Sequence, residues 1–391
     1  MRLPRWGSGF GALCCAAALH AQPVTVEPPA AAPTPARDLH EETASVAVTV
    51  KDMFGREETK QIPVTIFKPA GPGPFPLVIM NHGRPTADRR AQQTLQRFEP
   101  FSRYMVSKGF VVLLPTRVGY VGTYGDFDPE ATGDCGSPRL EPQAIAASDQ
   151  VLAALAFAKT LAYADTSRWL VAGQSVGGLT SVATIWRHPP GLVGGLNFSG
   201  GTGGNPDRSP GRPCSPQRIE SLWRAKAAEA TAPMLWLYWQ NDAYWGADVP
   251  KRWHEAWVGG GGKAEFHQLE AVGKDGHGAM NVDMDHWVPY AEAFLAQLGF
   301  TKPGLIAAPA ATAFAKLDEL EKVPISAAQR AESYPRFLES KKPRAYAIGA
   351  NGAAGWASGD WAMGRALGNC QRRRGEPCKL YAVDDDVVWA P

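Results

Sequence analysis

Trp169-Leu170-Val171-Ala172-Gly173-Gln174-Ser175-Val176-Gly177-Gly178 is the stretch that decides the fold. An apolar run of strand length enters Gly-x-Ser-x-Gly, and a helix-like stretch opens at Ser175. A serine at such a strand-to-helix turn has a strained backbone and crowded neighbours, so the positions two before and two after it must lack a bulky Cβ. Gly173 and Gly177 satisfy that. A chain with 41 glycines can contain this pentapeptide by accident; its placement between strand and helix is what singles it out.

Outward from this turn, helix and strand alternate, the pattern of a mainly parallel sheet with helices on both faces. Upstream, 44–50 and 60–69 read as strands, 71–76 as a turn, 77–80 as a short strand ending at Asn81-His82-Gly83, 92–108 as a helix, 110–114 as a strand and 142–162 as a helix. Downstream, 192–198, 234–239 and 264–269 read as strands and 287–298 as the closing helix. Beyond a Pro/Ala-rich stretch, 301–312, the pattern restarts with a helical opening, a strand 345–348, a Gly-rich turn, a helix near 360–369 and a last strand 379–383. In that turn Gly349, Gly352 and Gly355 lack phosphate-loop spacing and are read as turn glycines.

A serine hydroxyl is a poor nucleophile at neutral pH; it needs a base, and the base needs a carboxylate to fix its tautomer. Asp242 follows the strand 234–239 onto a loop at the carboxyl edge of the sheet, where such sheets carry their sites. His277 lies in Gly273-Lys274-Asp275-Gly276-His277-Gly278, after the strand 264–269. The order Ser175, Asp242, His277 is that of an acyl-transfer triad on this type of sheet. Asp275 is a rival acid, while His267 falls within a strand and His286 at a helix start. Charge developing on a substrate carbonyl calls for backbone N–H donors, expected from Val176 and from Arg84 on the early loop; Pro85 has none to give. His82 is expected to hold that loop by side-chain hydrogen bonds.

The set strand-NHG, GQSVGG, WQND and DGHG resembles the dienelactone hydrolase-like branch of the α/β-hydrolases over roughly residues 45 to 300. The resemblance implies an α/β-hydrolase fold, a mostly parallel central sheet flanked by helices, with little cap and no metal or organic cofactor. Some members use a cysteine nucleophile; serine stands here, which favours the esterase relatives over dienelactone as substrate.

Two sets of residues bear on the substrate. Tyr238, Trp239, Tyr244 and Trp245 cluster around the proposed acid, either lining an apolar pocket or filling the core. Arg84 and Arg117 follow consecutive strands near the site edge, which suggests recognition of a carboxylate.

The 391 residues are 45% hydrophobic and 20% charged with a net charge of +2, which argues against wholesale disorder and against nucleic acid as a partner. Arg2 and Arg5, the apolar run 10–19 and Ala21 read as a secretory signal peptide over 1–21, too short to span a bilayer. A periplasmic or secreted location follows; the residues before Cys14 and Cys15 fit a lipid-attachment box poorly. A Pro/Ala-rich linker (22–43), a catalytic domain (44–300), a second linker (301–312) and a small C-terminal α+β module (313–391) complete the organisation, the last with a possible glycan or protein partner. Four cysteines remain, permitting three connectivities or four free thiols; sequence proximity pairs Cys370 with Cys378 and leaves Cys135 with Cys214 as a clamp between two long loops. No Cys or His pair has zinc-site spacing. The expected function is exported hydrolysis of a small-molecule carboxylic ester, with a serine peptidase or a non-catalytic binding protein on the same scaffold as the alternatives.

Overall fold

Buried parallel strands need apolar residues on both faces, and that is how the centre of the sheet is written. The computed structural model describes residues 1–2, 36, 39–301, 308–359, 362–374 and 378–390. The expected signal peptide, most of the first linker and residues 302–307 of the second lie outside the described residues. The large sheet comprises β1 (Glu42–Lys51), β2 (Glu57–Phe67), β3 (Phe75–Asn81), β4 (Val111–Pro115), β5 (Ala164–Gln174), β6 (Leu192–Phe198), β7 (Met234–Trp239) and β8 (Ala264–Leu269). Its spatial order is β1-β2-β4-β3-β5-β6-β7-β8. The β1–β2 and β2–β4 pairings are antiparallel; β4, β3, β5, β6, β7 and β8 run parallel to one another. This is the α/β-hydrolase arrangement. It sets β5, and hence Ser175, in the middle of the sheet.

Period-two alternation divides each strand between two cores. Leu77, Ile79, Leu113 and Val171 face one layer, whereas Val78, Met80, Leu114 and Leu170 face the other. The helices are α1 (Ala87–Arg90), α2 (Glu99–Ser107), α3 (Leu140–Ala158), α4 (Val176–Trp186), α5 (Pro216–Lys226), α6 (Val249–Gly259) and α7 (Met284–Gln297). At the edge, β1 alternates buried Val46, Val48 and Val50 with exposed residues. The chain is packed before that strand begins, because Leu39 is buried and Glu41 pairs with Arg97.

Several expectations are corrected. The helix expected over 92–108 starts only at Glu99, since Phe98 takes a left-handed φ of 41° and Pro100 sits in the first turn. Helices α5 and α6 were not anticipated; each begins beside a proline, and Trp223 packs edge-on against Trp253 between them.

Toward the C-terminus, α8 (Ala327–Glu339), β9 (Arg344–Gly349), β10 (Ala354–Ser358), α9 (Ala362–Arg374), β11 (Cys378–Val383) and β12 (Asp386–Val387) build a separate antiparallel sheet of order β10-β9-β11-β12. Gly355 is not a turn glycine: it lies in β10, where a Cβ would come within 2.2 Å of the Cys370 amide on α9. Gly352, with φ +76°, does turn the chain. The other side of α9 meets the large layer. Gly368 approaches the Asn281 carbonyl, Arg365 pairs with Asp285 at 2.6 Å, and Arg372 reaches Asp283 at 3.4 Å. The disulfides Cys135–Cys214 and Cys370–Cys378 are both formed.

Candidate active site

Ser175 sits between β5 and α4 with φ 58° and ψ −124°, a conformation that side chains other than glycine rarely adopt. The flanking glycines have a steric reason. A Cβ on Gly173 would lie 2.0 Å from the Gly177 carbonyl oxygen, and one on Gly177 would lie 2.0 Å from that of Asn81. The backbone of the elbow is pinned by Ser175 N donating to Phe198 O and by Gly201 N donating to Ser175 O, both at 3.0 Å. The Ser175 hydroxyl makes no hydrogen bond to any described residue. Val176, first in α4, has an N–H with no intrahelical partner.

Asp242 and His277 meet directly. His277 Nδ1 donates to both carboxylate oxygens of Asp242 at 3.0 Å, and Asp242 and His277 are 2% and 7% exposed. The acid is oriented in turn, because Asp242 Oδ1 accepts from the amides of Tyr244 (2.8 Å) and Trp245 (3.1 Å). Asp275, the rival acid, instead accepts from the amides of Ala243 and His277, both at 2.9 Å, and so ties the acid loop to the histidine loop. Asn241 adds a second tie through Val272 and Gly273. The serine side is joined by Gln174, whose Nε2 donates to the His277 carbonyl at 2.9 Å. Nothing in the sequence marks Gln174 for that duty beyond its place beside Ser175. His267 pairs with Glu265 and His286 with Asp283, away from the Asp242–His277 pair.

The loop after β3 passes beside Ser175: a Cβ on Gly83 would stand 3.1 Å from Ser175 Cβ. His82 holds this loop as expected, with Nδ1 donating to Gly83 O at 2.7 Å and Nε2 accepting from Arg117 N at 3.0 Å. Fixing the Gly83 carbonyl turns the Arg84 N–H of the same trans peptide the opposite way. No described residue accepts from that N–H. Burial first, and the Arg117 charge second, hold the His82 pKa well below the ordinary histidine value. The unfolded chain therefore binds a proton that the folded one refuses, so stability falls as pH drops below about 6.5, toward the depressed folded value. Urea titrations between pH 7.5 and 5 should show wild type losing up to about 1.4 kcal/mol per pH unit more than His82→Gln. Parallel curves would contradict this account.

Carboxylate recognition by Arg84 and Arg117 is not supported. Arg117 is wholly buried, bound to Glu130 at 2.5 and 3.2 Å and to the His82 carbonyl at 2.8 Å. The Arg84 guanidinium is engaged bidentately by Asp128 at 2.6 and 3.1 Å, and Arg90 shares that carboxylate. These arginines brace the loops beneath the site. Of the two alternatives for the aromatic cluster, three members take the core one, which corrects Trp245 as a substrate residue: Tyr238, Trp239 and Trp245 are core residues, with polar atoms bound to Gly200 O, Asp283 and Ser199 O respectively. Tyr244 alone is half-exposed, and its ring lies on His277.

No protein-family model matches the chain, and no curated protein matches its sequence. Among solved structures, an esterase from Pyrococcus furiosus aligns over 70% of this chain and 99% of its own, at 15% identity and a TM-score of 0.47. The acylaminoacyl peptidase of Pyrococcus horikoshii aligns over 68% of this chain and 43% of its own, at 14% identity and a TM-score of 0.46. A puromycin-hydrolyzing peptidase of Mycobacterium tuberculosis aligns over 66% and 39%, at 20% identity and a TM-score of 0.41. The chain thus spans less than half the length of the two peptidases. The likeness is one of fold alone.

Proposed function

We propose that this chain is an exported serine hydrolase that cleaves a carboxylic ester by way of an acyl-enzyme. Ser175 Oγ attacks the ester carbonyl carbon while His277 Nε2 takes the hydroxyl proton, and Asp242 holds the imidazole through Nδ1 and stabilises the charge it acquires. The N–H groups of Val176 and Arg84 receive the developing oxyanion. Collapse of the tetrahedral intermediate releases the alcohol, protonated by His277; water then repeats the sequence on the acyl-Ser175 ester and releases the acid. One observation carries this reading: a serine with φ 58° follows Gln174, which binds the carbonyl of the histidine in a buried carboxylate–imidazole pair, and no described residue accepts from the N–H groups of Val176 and Arg84.

Export is supported by the two disulfides, which persist in oxidising compartments. No helix among the described residues is long and apolar enough to cross a membrane. A glycan or protein partner for the C-terminal sheet has no assigned site, and one side of α9 is already occupied by the large layer.

Assay of the purified protein with p-nitrophenyl acetate, butyrate and octanoate beside an N-acyl-alanine p-nitroanilide tests the reaction class. Turnover of the esters with the anilide near baseline is expected. The reverse ranking would make the chain a peptidase, and silence on both would leave the scaffold as a binding protein.

A further inference from the structure

The Tyr244 ring lies almost flat on the His277 imidazole, with centroids 3.8 Å apart and planes 21° from parallel. Trp245 closes on the same imidazole edge-on, at 5.3 Å and 74°. Tyr244 also engages the acid, since its own amide donates to Asp242 Oδ1 at 2.8 Å. One residue therefore touches the acid through its backbone and the base through its ring.

We propose that Tyr244 is a positioning residue for the general base, and not a wall of the substrate pocket. This rests on the triad reading above. A histidine held only through Nδ1 can still swing about that hydrogen bond, which would carry Nε2 out of line with Ser175 Oγ. A ring stacked on its face removes that motion and leaves the in-plane nitrogen free. The negative face of the phenol ring also attracts the positive charge that the imidazole acquires as the proton moves. Misplacing a reacting atom by about 1 Å is enough to cost about 100-fold in rate.

Tyr244 is supported from behind. A Cβ on Gly204 would stand 2.7 Å from Trp245 Cζ3 and 2.9 Å from both Cβ and Cδ1 of Tyr244, so the loop after β6 presses against both rings and only glycine fits there. That loop is fastened in turn: Gly203, with φ +83°, packs on Cys214, which is bound to Cys135. The Tyr244 hydroxyl makes no hydrogen bond to a described residue, so the ring is the part that acts.

Steady-state kinetics on p-nitrophenyl butyrate, with urea midpoints as the folding control, test the assignment. Tyr244→Leu should lower kcat about 10- to 100-fold with KM within about threefold, and Tyr244→Phe should restore kcat to within about threefold of wild type. Unchanged kcat with raised KM in Tyr244→Leu would overturn the proposal and make the ring a substrate wall. Failure of Tyr244→Phe to restore kcat would also overturn it, by assigning the effect to the hydroxyl. If Tyr244→Leu does not fold, Gly204→Ala, whose methyl crowds the Tyr244 ring together with Trp245, should show the same selective fall in kcat; an unchanged kcat there counts against the proposal. Loss of the triad reading is separable, because wild type would then turn over no ester, or Ser175→Ala would retain activity.

Discussion

Ser175→Ala is expected to lower kcat for a p-nitrophenyl ester by about 10⁶-fold, with KM and the urea midpoint close to wild type. The size follows from what is removed. Without Oγ no acyl-enzyme forms, and only the oxyanion donors and substrate binding remain, a residue of about 10³ to 10⁴ over water in the subtilisin series. Folding is spared because the Ser175 hydroxyl makes no hydrogen bond to a described residue, so its loss strands no buried partner. The strained backbone is retained with alanine, and Phe198 and Gly201 still bind it. A variant that keeps more than about 1% of wild-type kcat would remove the nucleophile from the account.

Gly177→Ala has the largest expected effect on folding. Its Cβ would lie 2.0 Å from the Asn81 carbonyl oxygen and 2.7 Å from that of His82, both backbone atoms at the end of β3. A flexible side chain can turn aside; two adjacent carbonyls, one at the end of a strand and the next bound by Arg117, cannot. β3 is paired on both sides, to β4 and β5, so relief would require α4 to lift from the sheet. A loss of more than about 4 kcal/mol is expected, read as a fall in soluble yield and in urea midpoint. Gly125→Ala is the control: nothing lies within 4 Å of the added methyl, and stability should stay within about 0.5 kcal/mol of wild type. Equal midpoints for the two variants would mean that the elbow is looser than these contacts imply.

The parts legible in the sequence are those with local causes. Buried parallel strands must be apolar on both faces, so 110–114, 169–172, 192–198 and 234–239 stand out as short continuous runs. The elbow is legible because a backbone-to-backbone approach admits only glycine at 173 and 177. The order of a serine, an aspartate and a histidine after β5, β7 and β8 likewise picked out the two residues, Asp242 and His277, that meet at 3.0 Å.

What escaped the sequence depends on contacts between distant segments. Arg84 and Arg117 looked available for a substrate anion, yet Asp128 and Glu130 occupy them, and no spacing rule links those positions. Tyr244 and Trp245 are adjacent and chemically alike, but one stacks on the base and the other is 1% exposed in the core. Gly355 read as a turn because a glycine admitting a helix beside a strand looks the same in sequence as one turning the chain. The contact of α9 with residues 281–285 was equally invisible, since Gly368, Arg365 and Arg372 acquire meaning only against Asn281, Asp285 and Asp283.

An activated nucleophile at Ser175 is open to covalent capture. A fluorophosphonate probe is incubated with wild-type protein, with Ser175→Ala and with heat-denatured wild type, and the modified residue is located by peptide mass spectrometry. Stoichiometric labelling of Ser175 is expected in folded wild type and none in the other two samples. Labelling at another residue, or undiminished labelling of Ser175→Ala, would contradict an activated nucleophile at Ser175.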